Sequence, residues 1–300
     1  MSTASNAPRA ADRRIDARGL PYRVRTTGDE GAPAVLLLHG FAGSGDDWSS
    51  LAATLAAAGY RAVSVDLPGH GGTPAPRTIP LARFGAEETG RDLCAILDDL
   101  SVSAAHWVGY SMGGRVALVG ALADPARVAT LVLESSSPGI GDPALRAERR
   151  RDDEALAASI EERGVAWFAK TWADLPVFAT QRSLTPQARA DLAERRRRND
   201  AAGLADSLRA AGQAAQPFVG GRLASFARPT LLITGAQDAA YTTLAATMAA
   251  AIPSALHVTI PDAGHNVHLE QPEWYARALL THLRRRGGDG GPAPADSESP

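Results

Sequence analysis

Lysine is almost missing from this 300-residue chain: Lys170 is the only one, and every other basic side chain apart from histidine is arginine. With alanine abundant throughout, the bias reads as the imprint of a GC-rich genome, so an arginine cluster by itself carries reduced weight. A single cysteine, Cys94, excludes any disulfide within the chain; it sits in the helical pattern Leu93-Cys-Ala-Ile-Leu97 and reads as a small buried residue. Neither sign of charge dominates, and the formal net charge of -2 gives no ground for a nucleic-acid partner. No apolar run approaches the length of a membrane span, and the N-terminus lacks the apolar core of a signal peptide. A cytoplasmic protein without membrane attachment is therefore expected, as a monomer or weak homo-oligomer. No metal, nucleotide or flavin motif is present, so no cofactor is expected.

What is present is alternation. Strand-like runs at 22–25, 34–38, 62–65, 105–108, 129–133, 230–234 and 256–260 alternate with helical patterns. This implies an α/β fold with a mostly parallel central sheet and helices on both faces. The stretch 136–225 breaks the rhythm, with helical periodicity and no convincing strand, and reads as an inserted helical lid. The expected organisation is a polar, disordered N-terminal extension over 1–15, core over 16–135, lid over 136–225, core again over 226–286, and a disordered tail over 287–300.

The most informative segment runs from His106 to Val116, where an apolar run ends in Gly109-Tyr-Ser111-Met-Gly113 and a helical pattern starts at once. This is a nucleophile elbow, which lifts Ser111 above the sheet on a strained turn and leaves the Met112 N–H at a helix N-terminus. Acid and histidine follow in the chain order of a hydrolase triad. Asp238 lies after the strand-like Thr230 to Thr234, and His265 follows the strand-like Leu256 to Ile260. Glu134, at the end of another strand, is a rival acid, and Asp262 a weaker one. After the run Val35 to Leu38, His39-Gly-Phe41 opens a flexible loop whose Phe41 N–H is expected to be the second oxyanion donor. His39 is read chiefly as a brace for that loop through a ring hydrogen bond, and is carried among the candidate substrate-binding residues.

Arg115 stands one turn beyond Ser111 on nearly the same helix face, in an otherwise apolar Val-Ala-Leu-Val-Gly-Ala-Leu-Ala context. A guanidinium there needs either a carboxylate side chain or an anionic ligand, and the ligand is the favoured reading. Elsewhere in the lid, Arg146, Arg149, Arg150, Arg151 and the run Arg195 to Arg198 mostly read as a solvated face.

Together these motifs resemble the α/β-hydrolase superfamily from about Ala34 to Leu283. Within it the chain is most similar to the 2-succinyl-6-hydroxy-2,4-cyclohexadiene-1-carboxylate (SHCHC) synthases, lyases that eliminate pyruvate in menaquinone biosynthesis. The resemblance rests on Leu38-His-Gly-Phe-Ala-Gly, Asp66-Leu-Pro-Gly-His70-Gly-Gly, Gly109-Tyr-Ser-Met-Gly-Gly-Arg115-Val-Ala, Arg146-Ala-Glu-Arg149, Trp172 with Leu-Pro-Val-Phe178, and Ala263-Gly-His265-Asn-Val-His268. It implies a triad of Ser111, Asp238 and His265, oxyanion donors at Phe41 and Met112, carboxylate-binding Arg115, Arg149 and Arg196, and pocket aromatics Tyr110 and Trp172. The implied substrate is a small polycarboxylate. The chain departs from the family at Glu134-Ser-Ser-Ser-Pro-Gly139, where the lid begins. An esterase or carbon–carbon bond hydrolase using the same triad is the alternative, since fold and triad are shared.

Overall fold

A computed structural model describes residues 10–284. Eight strands form one sheet: β1 (Ala10–Ala17), β2 (Leu20–Thr27), β3 (Ala34–Leu38), β4 (Arg61–Val65), β5 (Ala105–Tyr110), β6 (Val128–Glu134), β7 (Thr230–Gly235) and β8 (Ala255–Ile260). Their order is β1-β2-β4-β3-β5-β6-β7-β8. The pairs β1–β2 and β2–β4 are antiparallel and all the others parallel. All seven expected strands are present, within two residues at each end.

The helices are α1 (Ser49–Ala57), α2 (Ala86–Asp99), α3 (Met112–Ala123), α4 (Pro143–Ala173), α5 (Pro186–Arg197), α6 (Ala201–Ala211), α7 (Ala239–Ala251), α8 (Val267–Glu270) and α9 (Pro272–Arg284). Alternate residues of the parallel strands enter two separate cores. Leu36, Leu38, Trp107, Leu131 and Leu133 pack against α2, α3 and α7, whereas Val35, Leu37, Val108, Val132 and Ile233 pack against α1 and α9. That period-two division across a sheet covered on both faces explains the almost wholly apolar strands. Cys94 is half-buried against the first core rather than enclosed in it.

The expected N-terminal extension is corrected in part. Residues 10–17 form β1, paired along its whole length with β2. Only Ile15 and Ala17 of this edge strand are buried, so its composition imitates a disordered segment. Antiparallel hydrogen bonds and ion pairs such as Arg13–Glu30 and Arg25–Asp12 hold it instead. The expected tail at 287–300 lies outside the described residues.

Among the described residues no strand interrupts the stretch between β6 and β7. There α4, broken at Gly164 by φ 78° and ψ 169°, packs with α6 around Ala157, Ile160, Phe168, Leu204 and Leu208. Phe41 and Ala42 of the loop after β3 join that cluster, so this helical stretch and the loop share one small core. No described helix is long and apolar enough to cross a membrane.

Candidate active site

Ser111 caps α3 with φ 49° and ψ -108°, a backbone conformation that L-residues rarely adopt. Such strain costs on the order of 1–3 kcal/mol and persists only where surrounding packing enforces it. Here the enforcement is steric: a Cβ on Gly113 would lie 2.2 Å from the Leu38 carbonyl oxygen, so only glycine lets the elbow sit against the end of β3. The Ser111 N–H donates to the Glu134 carbonyl at 2.9 Å, tying the turn to β6.

His265 follows β8 and Asp238 follows β7, and the parallel sheet brings both loops to the end of β5. The His265 Nδ1–H donates to Asp238 Oδ2 at 2.7 Å, which leaves Nε2 to accept from the Ser111 hydroxyl at 3.1 Å. Asp238 has a second task, because its Oδ1 accepts the Tyr241 N–H and caps α7. The rival acids do not reach His265. Glu134 is fully buried and engages His268 twice, through the backbone N–H at 3.0 Å and Nδ1 at 2.7 Å. Asp262 is exposed.

Phe41 and Met112 line one cavity with Ser111 and His265. Neither of their N–H groups donates to a described protein acceptor, which suits both to a developing oxyanion. The loop carrying Phe41 is held from below. Asp66 accepts the Gly45 and Gly72 N–H groups, and Asn199 of the lid donates to the Ala42 carbonyl. His39 belongs to this bracing. Its Nδ1–H donates to the Gly40 carbonyl and its Nε2 accepts the Leu67 N–H, so both ring nitrogens are committed and the residue does not line the cavity. As a substrate-facing residue, His39 is therefore corrected to a loop brace.

The cavity measures about 530 Å³. One wall is aromatic: Phe41 meets Trp172 at 5.2 Å between centroids, Trp172 meets Phe178 at 5.7 Å, and Phe178 meets His265 at 6.0 Å. Tyr110 also lines it, its phenol pushed well above the ordinary value by burial. The rest of the lining is mixed in charge, with Arg115 and Arg149 beside Asp152 and Asp153. Arg115 is 7% exposed and has no carboxylate partner; its Nη1 donates to the Ala211 carbonyl at 2.8 Å and to Gln216 Oε1 at 3.2 Å. Ala211 ends α6, where the negative end of the helix dipole favours a cation. Burial still pushes the guanidinium down to about 10, so Arg115 stays charged at neutral pH, and its Nε–Nη2 edge is free of protein acceptors.

Two other arginines sit differently. Arg149 lines the cavity but is already paired through Nε with Asp153 at 2.7 Å and through Nη1 with Gln213 at 3.1 Å, leaving Nη2 uncommitted. Arg196 does not line it. Its buried guanidinium lies 5.3 Å from the Phe178 ring centroid and donates to Gln181 Oε1, so it backs the aromatic wall. Sequence reasoning passed over Gln213, Gln216, Asn199 and Tyr241. Only Tyr241 left a signal, a bulky aromatic three residues after Asp238 at the start of a helix otherwise built from alanine, threonine, leucine and methionine. Among the described residues no cluster of three or more His, Cys, Asp or Glu could hold a metal ion.

Comparison with known proteins identifies the family. The alpha/beta hydrolase fold family matches residues 33–272. Over 265 residues the chain is 36% identical to a putative 2-succinyl-6-hydroxy-2,4-cyclohexadiene-1-carboxylate synthase of Bacillus subtilis (strain 168), spanning 88% of this chain and 95% of that protein. The chain belongs to the SHCHC synthase family. It is also 36% identical over 257 residues to the synthase of Escherichia coli O1:K1 / APEC, covering 86% of this chain and 96% of the relative. Among solved structures, MenH from S. aureus superposes with a TM-score of 0.81 at 26% identity, over 94% of this chain and all of that one. A thermophilic esterase from Thermogutta terrifontis, solved with malate bound, gives a TM-score of 0.77 at 25% identity, over 93% of this chain and 99% of its own. Fold likeness alone thus spans lyases and hydrolases.

Proposed function

We propose that this chain is a carbon–oxygen lyase that eliminates pyruvate from 2-succinyl-5-enolpyruvyl-6-hydroxy-3-cyclohexene-1-carboxylate to give SHCHC. The observation that carries the reading is Arg115: a buried, charged guanidinium without a carboxylate partner, on the wall of the cavity that holds the Ser111–His265–Asp238 triad. An uncompensated buried cation is costly, and a substrate carboxylate removes that cost with two parallel hydrogen bonds. An apolar ester would leave it unpaired. The substrate carries three carboxylates, and Arg115 with the free Nη2 of Arg149 supplies the recognition.

In the reaction His265 Nε2 takes the Ser111 hydroxyl proton as Ser111 Oγ removes the acidic C–H proton beside the succinyl carbonyl. Asp238 holds the imidazolium so formed. The electron pair of the broken C–H bond moves onto the carbonyl oxygen, where the Phe41 and Met112 N–H groups receive it, each contributing on the order of 3 kcal/mol. Collapse of the enolate expels the enolpyruvyl oxygen, and the proton held by the enzyme returns to the leaving group, which departs as pyruvate. No step requires an acyl-enzyme. The substrate is a small molecule, and the protein is read as a cytoplasmic monomer or weak homo-oligomer.

The direct test is to incubate the protein with the enolpyruvyl precursor and follow pyruvate. Catalytic pyruvate release supports the reading; a folded protein that releases none, yet hydrolyses esters through Ser111, refutes it in favour of the hydrolase alternative.

A further inference from the structure

Tyr241 stands at the third position of α7, where Asp238 caps the helix with one carboxylate oxygen while orienting His265 with the other. That geometry sets the phenol beside the triad. Its ring meets His265 edge-on, with centroids 4.6 Å apart, and the side chain lines the cavity.

The direction of its hydroxyl proton follows from the neighbours. Arg149 Nη1 donates to Gln213 Oε1 at 3.1 Å, and a guanidinium can only donate, so the amide oxygen of Gln213 must face it. The amide nitrogen then faces Tyr241, donating to the phenol oxygen at 2.8 Å. Turning the amide over would set N–H against N–H at Arg149. The Tyr241 oxygen is thus an acceptor towards Gln213, and its own proton has no acceptor among the described residues. A part-buried hydroxyl that accepts from Gln213 keeps its own proton to offer to whatever occupies the cavity it lines. The charge of Arg149, relayed through the amide dipole, makes that O–H a stronger donor.

We infer that Tyr241 is a further substrate-binding residue, whose hydroxyl donates a hydrogen bond to the substrate carboxylate that Arg115 grips. Arg115 and Tyr241 lie close enough to influence each other electrostatically, the cation favouring the phenolate and the phenolate the cation. An anionic oxygen placed between them takes one hydrogen bond from the guanidinium edge and one from the phenol. The assignment rests on the polycarboxylate reading of the site. It adds a neutral donor to a wall recognised so far by its arginines, and makes Gln213 the positioning residue that frees the phenol's proton.

The test separates binding from turnover. Ser111→Ala removes the base but leaves Arg115, Arg149 and Tyr241 in place, so calorimetry with the enolpyruvyl substrate on Ser111→Ala and on Ser111→Ala/Tyr241→Phe measures the hydroxyl alone. The second protein should bind about 10-fold or more weakly, as expected for a lost hydrogen bond to a charged acceptor. In the active background Tyr241→Phe should raise KM and leave the pH profile of kcat unchanged, because the phenyl ring still packs on His265. Tyr241→Ala, which removes that ring, should lower kcat as well. Equal affinities of the two Ser111→Ala proteins, within twofold, overturn the role of Tyr241 while leaving the lyase reading standing. If folded Ser111→Ala does not bind the substrate at all, the lyase reading fails and this assignment with it.

Discussion

Replacing Arg115 by methionine removes the guanidinium while keeping much of the buried stem, and its consequences can be worked out from two sets of contacts. On the protein side, the Ala211 carbonyl and Gln216 Oε1 lose their donor. Two neutral acceptors losing a partner cost about 1–3 kcal/mol each, partly offset because a buried cation is no longer desolvated. A net destabilisation of about 1–2 kcal/mol is therefore expected, small enough to leave a 275-residue body folded. On the ligand side, the Nε–Nη2 edge loses up to two charged hydrogen bonds to a carboxylate, each about 1.5–3 kcal/mol, or about 10- to 150-fold in kcat/KM. Pyruvate release coupled to lactate dehydrogenase reads the loss. Lysine should recover only part of it, since it restores the charge without the planar fork. Arg198→Ala is the control: it is exposed, and its one ion pair is with Glu194 at 3.5 Å. The reasoning is refuted if Arg115→Met keeps kcat/KM within threefold of the parent, or loses activity only in proportion to the fraction unfolded.

Asp238→Asn should lower kcat by about four orders of magnitude by presenting the wrong His265 tautomer, whereas Glu134→Gln should act mainly on stability through His268; comparable kinetic losses would mean the acid is misassigned. Rapid-quench mass spectrometry during turnover should find Ser111 unmodified, and an accumulating acyl adduct would argue for hydrolysis instead. Burial holds His70 down to about 3 and His106 to about 4, so both remain neutral in the fold at pH values where an unfolded imidazole, near 6.5, takes up a proton. The stability they contribute is complete above about pH 6.5 and declines as pH falls from there towards 4, by up to about 1.4 kcal/mol per pH unit for each histidine. Urea midpoints measured across that window should show the decline and His106→Gln should flatten it; a slope unchanged by that substitution contradicts the assignment.

How much of this could be read in the sequence depends on whether the signal was local. The inner strands of the parallel sheet announce themselves because both faces are buried, so each is a short apolar run ending in a turn, whereas the edge strand β8 is only partly buried. The elbow is equally local, as strand, Gly-x-Ser-x-Gly and helix follow one another directly. β1 escaped because an edge strand buries only Ile15 and Ala17, and its stability lies in hydrogen bonds to β2 that no composition reveals. The surroundings of Arg115 were legible only in outline. Its charge in an apolar helix demanded a partner, but the partners it found are a backbone carbonyl 96 residues away and an amide 101 away. Arg196 shows the opposite limit: a motif match names the residue, yet packing against Phe178 decides which way it faces. Gln213 and Asn199 are ordinary polar residues whose roles exist only because the lid folds back over the sheet.

On this reading the assembled triad, with Arg115 and Arg149 beside it, performs an elimination. The most direct measurement follows pyruvate and the conjugated ring product together when the enolpyruvyl precursor is given to the parent protein and to folded Ser111→Ala. The account requires the two products to appear one for one with the parent, and both rates to collapse in the variant. Pyruvate release that survives Ser111→Ala at the parental rate, or none from the folded parent, would contradict it.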